Sequence, residues 1–538
     1  MRKIIFYVLF TLFSIGYFYL FLPTISFGFY GISIYILLVL GIFHINEIIK
    51  KRIREFYKMS LAVQLSFWLY ILILLSTIFF TTSAILKSDS YKSVIGVVNE
   101  GSDISQHLAP ISIEEIAIVD RQTAYRLGDK VMGSIPSLGS QTQLGNFTLQ
   151  KVSNKLCWVA PLLHSGYFKW KENEEGTPGY IVVSATNDRD VKLVQKVNDK
   201  DIRIKYQPNS FFSDNLSRHI YFNGYLKRGF TDFTFELDDS NSPFWVVTLY
   251  SKTVGFSGLN ATGVITVNPQ SGEIKEYDIE NAPKWIDRIQ PANFVINQLN
   301  DWGEYVNGYW NLSNQDKLTT TNGVTIVFGP DNQAYWYTGL TSVGKDEGTV
   351  GFALINTRTK ETIWYKQVGA TEEAAQLSAM GKVQEKRYEA SFPVTYNING
   401  IPTYIMSLKD RAGLIKMIAM VSVEDYTIVG VGGTLKETLR SYKNALNSTG
   451  NMVDISPDSK LVSIEDVIQR INSDDRDGDT FYYFTTKNHT QIFVGTSLLS
   501  TDLVLTKEKD SVSFEIESLD QEVIDLVSFR NKKLKKRR

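Results

Sequence analysis

The 538-residue chain has a single cysteine, Cys157, and therefore no intrachain disulfide. It has five histidines and no H-E-x-x-H pattern, so no zinc-peptidase helix can be read from it. It has almost no net field: 56 Lys and Arg against 57 Asp and Glu leave a formal charge of −1, which gives nucleic acid no general attraction. After residue 86 it has no further apolar run of membrane length. Before that point it has three.

Residues 4–22, 25–45 and 61–86 are each long enough to cross a bilayer core of about 30 Å as a helix rising about 1.5 Å per residue. None contains Asp, Glu, Lys or Arg. Intramembrane charge is the usual mark of a transport path, so these stretches read as an anchor rather than a conduit; His44 stands at their edge. Pro23 and Thr24 leave room for a tight hairpin between the first two. Lys50, Lys51, Arg52, Arg54 and Lys58 face only Glu47 and Glu55 in the next loop, and Arg2 and Lys3 precede the first stretch. Positive residues beside membrane helices stay cytoplasmic, which puts the N-terminus and the 46–60 loop inside and everything after about residue 87 outside. A cleaved signal peptide fits less well, since the first stretch is too long for an h-region and no A-x-A-like site follows. Tyr17, Phe18, Tyr19 and Phe21, and then Phe79 and Phe80, fall at outer ends, where aromatic side chains suit the headgroups. The expected location is the cell membrane, multi-pass, with the lipid bilayer as a partner. A large exported region without disulfides suits a bacterial surface.

From residue 111 onward, helix-like stretches alternate with sets of short strands. Trp245-Val246-Val247-Thr248-Leu249 and Gly263-Val264-Ile265-Thr266-Val267 read as strands, Pro269-Gln270-Ser271-Gly272 as a turn and 273–277 as a third strand. Residues 282–306 follow with helical spacing, which puts Trp285, Ile289, Phe294, Ile296, Leu299 and Trp302 on one broad face. The layout returns with strands at 334–338, 350–355 and 361–365 and a helix at 371–385. It returns again with strands at 402–406, 418–423 and 426–429 and a helix at 435–446. A weaker first copy starts with a helix at 113–127 and continues with strands at 179–183 and 191–194. Tyr180, Trp245, Trp336 and Tyr404 are the anchor aromatics. Their spacing is too irregular for a solenoid and suits small α+β domains in series.

An aromatic strand, a G-x-I-x-V strand, a turn and the strand Glu273-Ile274-Lys275-Glu276-Tyr277, preceded by a helix, resemble the PepSY family. The likeness is clearest over 243–277, then 333–365 and 401–429, and least over 179–194. The resemblance implies a non-enzymatic fold that binds or restrains an envelope partner such as a peptidase or wall hydrolase. The whole layout resembles multi-span membrane proteins of Firmicutes with such an ectodomain. After a turn-rich stretch, five short strands at 461–471, 480–485, 490–494, 511–516 and 523–529 read as a small barrel. The expected fold is thus N-terminal transmembrane α-helices plus an α+β ectodomain of PepSY-like units and a small C-terminal β-barrel (OB/SH3-like). Its expected parts are a three-helix membrane anchor at 1–86, α+β units at 87–200, 201–282, 283–370 and 371–450, the barrel at 451–530 and a basic tail at 531–538.

Motifs that suggest chemistry fail on their context. Gly339, Gly344 and Lys345 have phosphate-loop spacing, but Asp346 stands where Ser or Thr must hold magnesium, and strands flank both sides. That reads as a hairpin loop. Ser342 with Lys345, and Ser213-Asp214-Asn215, spell fragments of penicillin-recognising enzymes in the wrong order. His107, His164, His219 and His489 are scattered and read as satisfied surface or core residues. Cys157 beside Trp158 reads as a small buried hydrophobe. The acidic run 474–479 lacks the EF-hand Glu, with Tyr483 or Thr485 in its place according to register, and reads as a solvated turn; calcium there stays open. Six of the last seven residues are positive, a tail able to hold anionic headgroups or wall polymers. No residue is assigned a catalytic, cofactor-binding or metal-binding role, and no cofactor is expected.

These readings converge on a membrane-anchored cell-envelope protein that acts by binding or restraining a protein partner, with no nucleic acid involved. The alternatives are an assembly component of a membrane machine and a cell-surface enzyme whose site the sequence does not display. Reporter fusions after Lys58 and Tyr91 should read inside and outside respectively. An inside signal at Tyr91 removes the envelope reading.

Overall fold

Apolar side chains around the whole circumference, rather than along one stripe, build the first helices. In the computed structural model, which describes residues 2–50, 61–102, 104, 107–108, 115–153, 155–329, 333–343, 348–398, 400–448, 462–476, 479–497, 499–516, 519 and 522–534, the helices Arg2–Phe21 and Leu61–Thr82 carry stretches long and apolar enough to cross a membrane, Ile4–Phe21 and Leu65–Thr82. Leu9, Leu12, Leu72 and Leu75 on them stay exposed, which core helices do not allow. The helix between them, Tyr30–Lys50, has a shorter apolar stretch, Tyr30–Phe43. The basic residues 51–58, the side chains of Arg2, Lys3, His44, Glu47 and Lys50, and the end of the tail at 535–538 lie outside the described residues.

The second helix starts at Tyr30, not at residue 25, because the connection is no tight hairpin. Ile25 N donates to Leu226 O (2.8 Å) and Pro23 O accepts from the Tyr221 hydroxyl (2.8 Å). Gly28 has φ +85°, and a Cβ there would lie 2.4 Å from Gly255 O. Only glycine allows this approach. The third helix ends at Thr82, whose Oγ1 accepts from Phe256 N (2.9 Å), and a separate helix Ala84–Ser93 follows.

The chain forms two compact units, Met1–Thr427 and Ile428–Arg538. Within the first, four α+β repeats follow the apolar helices. The first has the helix Arg121–Gly133, the strands Thr142–Leu144 and Thr148–Val152 paired side by side to Lys155–His164, then Tyr180–Ser184 and Val191–Val194. The second has Leu216–Ile220 and the meander Gly229–Leu237, Pro243–Val254, Ser257–Val267, Ile274–Tyr277. The third has Ala292–Glu304, then Leu318–Thr320 and Thr325–Phe328 on Ala334–Ser342, then Gly351–Asn356 and Thr362–Tyr365; the segment Val98–Gly101 joins its edge in parallel with Thr362–Tyr365. The fourth has Glu372–Lys382, then Glu389–Ala390 and Val394–Ile398 on Ile401–Lys409, and Ile415–Ser422.

One device recurs in all four. A buried or half-buried aromatic on the long second strand donates a hydrogen bond to a backbone carbonyl on the way into the helix. Trp158 reaches Val119 O (2.7 Å), Trp245 reaches Tyr206 O (2.8 Å), Trp336 reaches Gln290 O (2.9 Å) and the Tyr404 hydroxyl reaches Ala370 O (3.1 Å). In the first, third and fourth repeats that carbonyl stands two residues before the helix begins. Leaving a buried indole N–H unpaired is costly, so the bond helps to set where helix and sheet meet. In the first repeat the anchor is therefore Trp158, not Tyr180, which sits one strand later.

Helix starts differ from the periodicity for local reasons. The first repeat's helix opens at Arg121 and not at residue 113, because Asp120 caps it, accepting from Thr123 N (2.9 Å). The third opens at Ala292 and not at 282, because Pro291 suits only a helix start and holds the residue before it extended. Trp285 and Ile289 consequently lie off that helix.

The repeats close on one another. Gln150 of the first bonds Phe235 O (3.4 Å) and Leu237 N (2.9 Å) of the second. Thr248 of the second donates to Ile289 O (2.9 Å) at the entry to the third. The Tyr337 and Tyr404 hydroxyls meet at 3.3 Å between the third and fourth. Lys409 of the fourth pairs with Asp120 of the first at 2.6 Å, and the Tyr396 hydroxyl accepts from Ala117 N (3.0 Å).

In the second unit the helix Leu435–Ser448, expected with the fourth repeat, packs on Val429–Gly432; a Cβ on Gly430 would lie 2.3 Å from Tyr442 N. Five strands then pair in the order Val462–Arg476, Asp479–Thr486, Ile492–Thr496, Val523–Asn531, Ser511–Ile516 and back to the first, around Phe484, Phe493, Phe514 and Phe529. Ile492–Thr496 and Val523–Asn531 pair in parallel. Lys532 and Lys533 are held by Glu465 (2.5 Å) and Asp510 (3.2 Å) rather than hanging in a free tail.

Trp336→Phe, which removes the anchor hydrogen bond and part of the buried ring, should cost about 1 to 3 kcal/mol, and Trp336→Ala about 3 to 5 kcal/mol. Chemical denaturation of the purified chain checks this; a Trp336→Phe variant as stable as the natural chain would mean that the hydrogen bond contributes nothing.

Candidate functional site

Each repeat leaves an edge open. Thr148–Val152, Gly229–Leu237, Thr325–Phe328 and Val394–Ile398 form a ladder with one strand each among the described residues, and they lie near one another in pairs, the first against the second and the third against the fourth, without a ladder between them. All four border a single cavity of about 1610 Å³ inside the first unit. Thr148, Leu149 and Lys151 line it from the first repeat, Asp232 and Thr234 from the second, Ile326 and Phe328 from the third, and Val394 and Tyr396 from the fourth. Unpaired edges invite further strands. Side chains blunt two of them: Gln150 covers the second repeat's edge, and Asp287 Oδ2 accepts from Lys151 N at 3.2 Å.

Charge in the cavity wall is mixed. Asp120, Asp190 and Asp232 stand with Arg126, Lys151 and Arg288. Arg288 lies 5.9 Å from the centre of the Trp336 ring. Behind it sits Glu236, fully enclosed, with Oε1 accepting from the Thr234 hydroxyl at 2.7 Å. Burial pushes its carboxyl up to about 7, against the pull of Arg288. Burial likewise pushes Asp287 up to about 6, against its bond from Lys151 N and the nearby Arg288 and Arg358. Glu236 Oε2 and Arg288 Nε have no hydrogen-bond partner. A carboxyl with that affinity for protons has the property of a general acid. It must also touch substrate, and Glu236 does not border the cavity. The group is therefore a buried neighbour of Arg288 that retains its proton, not one that meets a ligand.

The residues singled out in the sequence do not converge. Gly339 is inside the strand Ala334–Ser342 rather than at its end, while residues 344–346 lie outside the described residues. Asn215 caps the helix Leu216–Ile220, and Ser213 and Asp214 form the turn before it. His107 bonds the Tyr365 hydroxyl, His219 Nε2 meets Gly272 O at 2.7 Å, and His489 Nδ1 meets Asp466 Oδ2 at 3.0 Å. His164 is buried, which lowers its pKa to about 4. Burial pushes the Cys157 thiol up to about 12, well away from a reactive thiolate. Asp474 and Asp475 stand in the strand ladder opposite Phe481 and Thr480, with 477 and 478 outside the described residues. Glu236, Asp287 and Arg288 carried no signal beyond being ordinary polar residues beside strands.

No family of known proteins matches the chain, and no curated protein matches it. A solved structure of a BT0996 RGII complex aligns over 77% of this chain and 96% of its own at 10% identity, with a TM-score of 0.16. A likeness that low carries no argument.

The raised pKa of Glu236 makes stability depend on pH. Between about 4.5 and 7 the folded chain keeps a proton that the unfolded chain has released, so its contribution is present below that window and is lost as pH rises through it. Melting temperatures from pH 5 to pH 8 should fall less steeply for Glu236→Gln than for the natural chain. An unchanged slope would mean that Glu236 is already ionised in the fold.

Proposed function

We propose that the chain is a multi-pass, membrane-anchored protein of the cell envelope that binds or restrains a partner protein, such as a peptidase or wall hydrolase, in the cavity between its PepSY-like repeats. The observation that carries this reading is the set of four strand edges without a second ladder around one cavity, two of them, Thr325–Phe328 and Val394–Ile398, not blunted by Gln150 or Asp287. An extended segment of a partner that adds to such an edge gains main-chain hydrogen bonds, and the side-chain pockets beside it supply selectivity. Phe328, Phe392 and Met406 offer apolar contacts there. The balanced charges suit a mixed peptide better than a polyanion.

The repeat order, a helix and then antiparallel strands anchored by an aromatic, supports the PepSY-like reading. The helix Asp502–Leu505 between the third and fourth strands of the closed five-stranded sheet, together with its one parallel pair, supports an OB-like barrel over an SH3-like one. Three spans with the N-terminus inside remain the topology that the charge distribution favours.

The test is a photo-cross-linking residue at Ile326 or Val394, in the cavity, compared with one at the exposed Lys382. Adducts from the cavity positions should map to one extended segment of an exported protein. Adducts at Lys382 alone, or none from the cavity, would refute cavity binding.

A further inference from the structure

We infer that the surface where the second repeat meets the loop between the first two apolar helices is a binding site for the phosphate of an anionic phospholipid headgroup. The inference rests on the membrane-anchored reading above and deepens it.

Tyr19 stands two residues from the end of the apolar stretch Ile4–Phe21, a depth that corresponds to the headgroup region if that helix spans. Arg218 lies over it, its guanidinium carbon 4.8 Å from the ring centre, and Arg218 Nε donates to Tyr19 O at 3.2 Å. The second repeat's Phe222 stacks on the same ring at 6.2 Å and is otherwise exposed. On the other side of the loop the Lys252 ammonium lies 5.0 Å from the Phe29 ring centre and 5.1 Å from that of Tyr30. Tyr30 opens the second apolar helix. Lys227 is exposed beside Leu226, which holds Ile25.

Among the described residues no carboxylate pairs with Arg218, Lys227 or Lys252, whereas the neighbouring Arg228 is paired with Glu276 at 2.5 Å. Arg218, Lys227 and Lys252 are thus three cations without an acidic partner on the surface that meets this loop, and the bonds from Tyr221 to Pro23 and from Ile25 to Leu226 hold the loop there. With its Nε taken by Tyr19 O, the guanidinium still presents its two terminal NH2 groups, and these and an ammonium match phosphate oxygens. The exposed rings of Phe222 and Phe27 beside them call for an amphiphile, whose chains cover what its phosphate cannot.

The full chain is reconstituted in discs of phosphatidylcholine alone and in discs of equal parts phosphatidylcholine and phosphatidylglycerol, and the lipids that stay bound through detergent exchange are counted by native mass spectrometry. Phosphatidylglycerol should be retained in preference. Arg218→Gln and Lys252→Gln should each weaken retention about fivefold, Arg218→Lys should restore most of it, and Arg228→Gln should change nothing. If Arg218→Gln fails to fold in discs of phosphatidylcholine, the Lys252→Gln comparison decides alone. Equal retention of the two lipids, retention unaffected by both substitutions, or equal thermal stabilisation by inorganic phosphate in phosphatidylcholine discs would overturn the inference. A chain that never enters discs would instead overturn the membrane-anchored reading itself.

Discussion

An aromatic side chain's N–H or O–H aimed at one backbone carbonyl organises each α+β repeat. Trp158, Trp245, Trp336 and Tyr404 tie the long second strand to the segment that leads into the helix. The bond is worth about 1 kcal/mol, but the aromatic around it brings several more by burial. It also decides direction. With helix entry and second strand pinned together, the helix covers one face of the sheet, and the first strand is left at the margin with one edge unpaired. The cavity follows from that margin repeated four times.

Closure of the four repeats then depends on polar contacts more than on apolar ones. The pair between Lys409, itself buried, and Asp120 joins the fourth repeat to the first, and Asp120 simultaneously caps the first helix. A buried pair of this kind adds little net stability over an apolar substitute, yet breaking one partner is costly. Its value is in fixing which surfaces meet. Glu236 and Asp287 are buried near Arg288, which borders the cavity while the two carboxyls do not.

The apolar helices are docked to the rest of the first unit rather than tethered to it. Five contacts, at Tyr19, Pro23, Ile25, Gly28 and Thr82, seat them on the second repeat. Four of these contacts are hydrogen bonds in which a backbone carbonyl or amide is one of the partners.

Much of this was legible in the amino-acid order. Apolar length named the first helices, alternation named most strands, and Gly272, in the turn read from the Pro269–Gly272 stretch, has a φ of +75°, which suits glycine. Those features depend on neighbours within a few residues, which is the range over which periodicity and turn chemistry act. Helix starts were missed where a cap or a proline overrode the period, at Asp120 and Pro291. The anchor of the first repeat was misassigned to Tyr180, because a strand-rich stretch contains several aromatics and only the partner carbonyl distinguishes them. The cavity, the proton affinity of Glu236 and the seat of Arg218 on Tyr19 belong to tertiary structure alone. Each arises where residues tens to hundreds of positions apart exclude water together, and desolvation by distant chain leaves no local trace in sequence.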